Sequence, residues 1–181
     1  MGPLDFLGAL LERPETLTAE PRPAGLGRSA LLGYAAGTLG GFMFLRLYSA
    51  VPPGLLSYLV VLAFVLAANF LFAGVTHLFM DLTGARGAAG RLFLAFGLSD
   101  YFFALLVPLA FFAKLGGTGA LLAVCAVLTV VVTARVRYIR RLYPVSSNKA
   151  LLGVLLPYAA ASALGFLAFV YFIAWMVWLV V

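Results

Sequence analysis

Five long apolar runs make up most of this chain, and its charged residues lie almost entirely in the gaps between them. A helix needs about 20 mainly apolar residues to cross roughly 30 Å of hydrocarbon. About a quarter of the residues in a soluble domain are charged, whereas here 10% are charged and 65% are hydrophobic. The sequence therefore predicts an all-α, polytopic membrane bundle of five transmembrane helices, at about residues 29–49, 55–80, 92–113, 118–138 and 150–181.

The basic residues predict the orientation of the bundle. Of 12 lysines and arginines, ten fall before the first run or in the second and fourth connections, which share one side of a five-helix bundle. The opposite side holds only Arg46 and Lys114. Because cytoplasmic loops carry the excess of Lys and Arg, we expect a cytoplasmic N-terminus and an external C-terminus. The net charge of +6 suits a bilayer with anionic headgroups and requires no nucleic-acid partner.

The composition divides the chain into an N-terminal segment, residues 1–26, and a five-helix membrane domain, residues 27–181. The N-terminal segment is rich in proline and acidic residues. Its leucines would line one side of a short helix on the inner leaflet, while the proline content favours a loosely ordered cytoplasmic tail. Both interpretations place this segment at the cytoplasmic interface.

Small residues in the first run indicate close helix packing. Gly33, Gly37 and Gly41 recur at intervals of four. Such a ridge lets another backbone approach closely, and we expect it to pack within the bundle or at a homo-oligomer seam. In the last run, Pro157 removes a backbone donor and is expected to kink the helix.

Four polar side chains fall at similar depths in four different runs: Asp100, Asn69, Ser162 and Thr38. At 1.5 Å per residue, each lies about 14–18 Å from the predicted cytoplasmic end of its helix. No basic residue is counted at that depth, so we expect a protonated Asp100 that is hydrogen-bonded to Asn69 or a hydroxyl. The layer is interpreted either as a clasp that fixes helix packing or as a proton or ion site.

The fourth connection carries the densest group of positive charges. We interpret it as a cytoplasmic surface for anionic headgroups or for an acidic protein partner. Its basic residues are Arg135, Arg137, Arg140, Arg141 and Lys149.

The sequence offers little for catalysis. His77 and Asp81 lie four residues apart at the end of the second run, and Asp81 is expected to pair with His77 or with Arg86. The chain has a single histidine, and a metal site would need more ligands. No Ser-His-Asp arrangement, nucleotide loop or pair of carboxylates is present to divide acid and base roles. We therefore expect no catalytic residues, metal or cofactor, and a protein that is not an enzyme.

Three short segments carry a family resemblance. Residues 77–87 follow the pattern His-x4-Leu-x-Gly-x-x-Gly, which ends in Gly84 and Gly87. This pattern resembles the turn between the second and third spans of the Yip family, the Ypt/Rab-interacting membrane proteins, and particularly of its prokaryotic members. Residues 137–150 are similar to the basic fourth connection of that family, which leads to a Leu-Pro pair, here Leu156 and Pro157. Residues 12–15 are similar to the proline-containing segment that precedes the first span.

The resemblance implies a five-helix domain with a cytoplasmic N-terminus, located in the bacterial cytoplasmic (inner) membrane. Eukaryotic members act in vesicle traffic, contact partners on the cytoplasmic side and are not enzymes. The sequence hence predicts a non-enzymatic membrane protein that organises or assists partners through its basic cytoplasmic loops. Two alternatives stay open: a small transporter or channel protomer that uses the layer around Asp100, and an accessory subunit of a larger membrane complex.

Overall fold

A computed structural model describes residues 25–48, 50–116 and 119–180 of the chain. Residues 1–24, which form most of the predicted N-terminal segment, lie outside these ranges. Within the ranges the chain forms six α-helices and one 3₁₀ turn: α1 (Leu26–Leu47), α2 (Leu55–Leu82), α3 (Ala89–Asp100), the 3₁₀ turn (Tyr101–Leu105), α4 (Leu106–Gly116), α5 (Ala120–Leu142) and α6 (Ser147–Val180).

These elements form five stretches that are long and apolar enough to cross a membrane. They are α1, α2, the segment that joins α3 to α4, α5 and α6. The prediction of an all-α, multi-pass membrane protein with five spans is confirmed. We call the end where α1 begins, and where α2 leads to α3 and α5 to α6, the basic end, because ten of the 12 lysines and arginines belong to it or precede it.

The third span is not a continuous α-helix. A 3₁₀ turn, Tyr101–Leu105, separates α3 from α4 directly after Asp100. Pro108 follows in the first turn of α4, where it lacks the N–H that would pair with the carbonyl of Ala104 and its ring crowds that carbonyl. We attribute the tighter hydrogen bonding of the preceding turn to this conflict. The third span predicted at about 92–113 is present, and the 3₁₀ turn lies within it.

The packed core lies in the half of the bundle next to the basic end. Its buried side chains come from the first half of α1, the second halves of α2 and α5, all of α3 and the start of α6. Tyr34 of α1 fixes one helix pair in this half, because its hydroxyl donates a 2.6 Å hydrogen bond to the Phe93 carbonyl of α3. In the opposite half, Leu106, Val127 and Val131 form a smaller buried cluster.

Glycines of α1 bring its backbone against the third span. Side chains at Gly33 and Gly37 would collide with the carbonyl oxygens of Gly97 and Asp100, and one at Gly40 would collide with the Phe103 carbonyl. The space around Gly41 is open to at least 4 Å. The predicted ridge is therefore correct for its first two glycines and wrong for Gly41.

The helical repeat explains this correction. A stripe on a straight helix follows spacings of i, i+4 and i+7, because a turn contains 3.6 residues. Gly40 continues the line of Gly33 and Gly37, whereas Gly41 is rotated away from the third span. Gly41 consequently faces α2 and borders a cavity there.

Only the first third of α6 packs against the bundle, where it contacts α2 and α5. Residues 159–179 are exposed on every face of the helix. At 1.5 Å per residue this uncovered stretch is about 32 Å long, close to the thickness of the hydrocarbon core. The second half of α6 thus has no partner among the described residues.

Pro157 lies inside α6 near the end of its packed part and is buried. Proline cannot donate to the carbonyl four residues earlier, here that of Gly153. The hydroxyl of Thr76 on α2 donates a 2.9 Å hydrogen bond to this carbonyl instead. A neighbouring helix therefore satisfies the backbone acceptor that Pro157 releases, which is how membrane helices tolerate internal prolines.

We expect Gly37→Leu to destabilise the bundle by about 3 kcal/mol or more, because the new side chain must displace the backbone of the third span. Thermal unfolding in mild detergent measures this loss. Gly41→Leu is the matched control, since it adds the same side chain to the same helix where the space is open. Equal unfolding temperatures for the two variants would contradict the observed packing of α1.

Candidate functional site

A buried ion pair lies between α3 and α5. Nη2 of Arg135 is 2.7 Å from Oδ1 of Asp100, and each side chain is only 2% exposed. An ion pair removed from water is tolerated when its remaining donors and acceptors are satisfied and is unfavourable otherwise. The surroundings of these two side chains therefore decide whether the pair holds the bundle together.

The hydrogen bonds around the pair satisfy nearly all of its polar atoms. Nη2 of Arg135 also donates to Oδ1 of Asn69 at 2.7 Å, and Nδ2 of Asn69 donates to Oδ2 of Asp100 at 3.2 Å. Arg135 Nε donates to Ser99 Oγ at 3.0 Å, and Nη1 donates to the Tyr158 hydroxyl at 2.6 Å. Four of the five N–H groups of the guanidinium are thus used. Together, Asp100, Arg135, Asn69, Ser99 and Tyr158 form what we call the central network.

The central network connects the spans of the bundle. Asn69 belongs to α2, Ser99 and Asp100 to α3, Arg135 to α5 and Tyr158 to α6. The first span joins through its backbone, because Gly37 of α1 lies directly against the Asp100 carbonyl. The guanidinium carbon of Arg135 also lies 4.3 Å from the centre of the Phe96 ring, a favourable cation–π geometry. All five spans consequently meet at one buried charge pair.

The sequence predicted one contact of this network and missed its most important member. The hydrogen bond between Asp100 and Asn69 is as expected. The assumption that no basic residue reaches Asp100, from which its protonation was inferred, is wrong, because Arg135 lies beside it. So is the assignment of Arg135 to the cytoplasmic basic surface, since this side chain is buried.

Helix geometry explains how Arg135 reaches the interior. Side chains of a helix tilt toward its N-terminus. Because α5 runs toward the basic end, the long side chain of Arg135 points away from that end and into the bundle. The position of Arg135 on the face of α5 also indicates that it is buried. It lies four residues after Val131 and three before Tyr138, both of which are buried.

Two other members of the predicted polar layer do not join the central network. Ser162 lies on the uncovered part of α6 and is exposed. Thr38 is buried, but its hydroxyl has no hydrogen-bond partner among the residues that the structure describes. Ser99 and Tyr158 take their places. Depth along a helix gave no information on the direction in which each side chain points.

The other cations of the fourth connection lie at the surface of the basic end. Arg137, Arg140 and Arg141 are exposed on the last turns of α5, opposite its buried face. Lys149 is half-buried, and its Nζ donates a 2.7 Å hydrogen bond to the Thr83 carbonyl at the end of α2. This Lys149 bond holds the two connections of the basic end together.

The residues that carry the family resemblance shape the α2–α3 turn. Gly84 has a φ of 81° and closes α2 with hydrogen bonds from Gly84 N–H to the Asp81 carbonyl and from Ala85 N–H to the Met80 carbonyl, both 2.9 Å long. This pairing is a Schellman motif, which satisfies the last carbonyls of a helix and favours glycine at the left-handed position.

The His77 ring contacts Tyr143, a partner that the sequence did not predict. His77 Nδ1 is 2.7 Å from the Tyr143 hydroxyl. Gly87 lies on the face of the Tyr143 ring, where a side chain would collide with it. Burial, with a smaller effect from the charge of Asp81, raises the pKa of Tyr143 to about 12, so this hydroxyl keeps its proton at physiological pH. The Tyr143 contact closes the basic end between α2 and the α5–α6 connection.

The described part of the chain contains no group of three His, Cys, Asp or Glu side chains able to hold a metal ion. Comparison with models of protein families, with curated proteins and with solved structures finds no match for this chain.

We expect Asp100→Asn to destabilise the bundle by about 3–5 kcal/mol, because it leaves the Arg135 guanidinium buried without a counter-charge. The double variant Asp100→Asn/Arg135→Gln removes both charges and should be more stable than Asp100→Asn alone. Thermal unfolding in detergent, with Asp81→Asn as the control at an exposed acid, measures these differences. Equal unfolding temperatures for Asp100→Asn and Asp81→Asn would show that the pair does not hold the bundle.

Proposed function

We propose that this chain is a non-enzymatic membrane scaffold that recruits acidic partner proteins to the cytoplasmic face of the membrane through Arg137, Arg140 and Arg141. One observation carries the proposal. These three arginines are exposed on one face of α5 and make no hydrogen bond or ion pair with the described residues, while the opposite face of the same turns is buried.

The packing of the helix face beneath these arginines favours recognition of a protein partner over simple attachment to lipid headgroups. Tyr138, Ile139 and Leu142 are buried between them, and Tyr143 is held by His77 directly afterwards. The backbone that carries the three guanidinium groups is therefore fixed. Arginine also presents its donors in a planar fork that matches carboxylates in pairs, which suits recognition of an acidic protein surface.

The cations at the two ends of the bundle differ in their hydrogen-bond partners. At the opposite end, Arg46 Nη1 donates to the Val51 carbonyl at 2.8 Å, and Lys114 Nζ donates to the Leu47 carbonyl at 3.2 Å. Both cations thus bind nearby backbone, whereas the arginines at the end of α5 remain available. The charge asymmetry favours a cytoplasmic location for the basic end. The resemblance to the Yip family, whose eukaryotic members contact partners on that side, supports a membrane scaffold, which we place in the bacterial inner membrane.

The triple variant Arg137→Gln/Arg140→Gln/Arg141→Gln should lose its acidic partner in co-purification from native membranes under mild detergent conditions. The triple Lys variant separates two kinds of binding. It keeps about 1 kcal/mol of headgroup attraction per charge but loses the planar forks. We expect it to bind anionic vesicles normally and still to lose the partner. Unchanged co-purification with the Gln variant would refute the proposal.

The central network favours a second candidate, a transporter that uses Asp100. Ionisable groups inside a membrane often mark ion pathways, and this pair lies in the bundle interior where the five spans meet. The saturation of its hydrogen bonds supports the scaffold, because a passing proton would have to break the ion pair with Arg135 first.

Under the scaffold proposal, proteoliposomes that contain the unmodified chain should show no flux driven by a pH gradient. The neutral double variant Asp100→Asn/Arg135→Gln should behave identically in this assay. A pH-driven flux that the unmodified chain supports and this double variant lacks would establish the second candidate.

A further inference from the structure

An apolar groove lies between α1 and α2 in the half of the bundle away from the basic end. Its volume is about 610 Å³, within the range of small-molecule sites. The floor is formed by the third span, and the two walls by α1 and α2. Side chains that line it include Thr38, Phe42, Val60, Phe64 and Phe103.

The groove is open because α1 has a glycine, Gly41, at its wall, and no side chain fills the space there. Gly41 borders the groove, and a Cβ atom there would meet nothing within 4 Å. On the α2 wall, Val60 is 62% exposed and Phe64 is 73% exposed. These two side chains reach the outer face of the bundle, so the groove opens sideways to the hydrocarbon that surrounds a five-span protein.

A cation, Arg46, lies beside the groove, in a neighbouring cavity with which the groove shares Phe42. Arg46 follows Phe42 by one helical turn, and both border a second, smaller cavity of about 380 Å³ that continues toward the end of the bundle. The wall at Phe42 is common to both cavities. Arg46 uses one Nη1 donor for the Val51 carbonyl, and a guanidinium has five N–H groups.

No acidic side chain of the described chain competes for Arg46. The two acids in this part of the sequence, Asp81 and Asp100, lie at the basic end and in the central network. A positive charge beside an apolar groove is complementary to an anionic amphiphile. We propose that this groove binds one anionic phospholipid, with its phosphate on Arg46 and an acyl chain along Gly41.

The selectivity of this site for one lipid over another must come from shape and charge. Lipid tails are as apolar as the groove, so transfer of a chain from the bilayer gains little from the hydrophobic effect. Packing of the chain into the space left by Gly41 and the charge-assisted hydrogen bonds of Arg46 must supply the preference. Each contribution can be removed by its own substitution.

Native mass spectrometry of the detergent-purified chain, titrated separately with phosphatidylglycerol and phosphatidylcholine, tests the proposal. The unmodified chain should retain one phosphatidylglycerol and prefer it at least tenfold over phosphatidylcholine. Gly41→Leu should reduce retention of phosphatidylglycerol at least tenfold, because leucine fills the groove. Arg46→Gln should abolish the headgroup preference, while Arg46→Lys should preserve most of it.

Gly74→Leu is the matched control, since Gly74 is exposed on α2 and its surroundings are also open to 4 Å. Val60→Trp blocks the groove from the other wall and provides a second test if Gly41→Leu fails to fold. Retention of phosphatidylglycerol by the blocking variants at the level of Gly74→Leu would overturn the proposal. The proposal would also be overturned if Gly41→Leu converted a dimer to a monomer without loss of lipid. That result would identify a second copy of the chain as the occupant of the groove.

Discussion

A charge can be buried in a helical bundle only where other groups replace the water that it loses, and this condition is met between α3 and α5. Asp100 and Arg135 lie 2.7 Å apart with side chains from three other positions around them. Hydrogen bonds tolerate changes in donor–acceptor distance of only a few tenths of an ångström. A slip of one residue, in contrast, moves a helix along its axis by about 1.5 Å. The network hence fixes the relative heights of four spans, and the close contact at Gly37 fixes the fifth.

The consequence is a bundle with two different halves. Near the basic end, the central network, the packing of α1 on α3 and the contact of His77 with Tyr143 give a closed core. Away from the basic end, the third span continues as α4 after its 3₁₀ turn, the buried cluster is smaller, and a groove lies between α1 and α2. The closed half supports the arginines of the proposed recruitment surface, and the open half provides the proposed lipid site.

Much of the fold was predictable because the length of an apolar run is a one-dimensional property. The five spans and the contact of Asn69 with Asp100 follow from run length and depth. The errors came from direction around the helix, which depth does not give. Ser162 faces outward, Gly41 is rotated away from the third span, and Arg135 points inward along a tilt set by the direction of α5. The change of hydrogen bonding before Pro108 depends on local crowding and could have been suspected from that proline alone.

The uncovered part of α6 makes this helix sensitive to its solvent. Its first third is held by α2, α5 and the hydrogen bond from Thr76 to the Gly153 carbonyl, but residues 159–179 are exposed on every face of the helix. The whole helix is about 51 Å long, well beyond the roughly 30 Å of hydrocarbon. Hydrophobic mismatch on that scale is met by tilting, at a cost that depends on bilayer thickness. The inclination of the unsupported half is thus set by the host membrane, while the closed half keeps its shape.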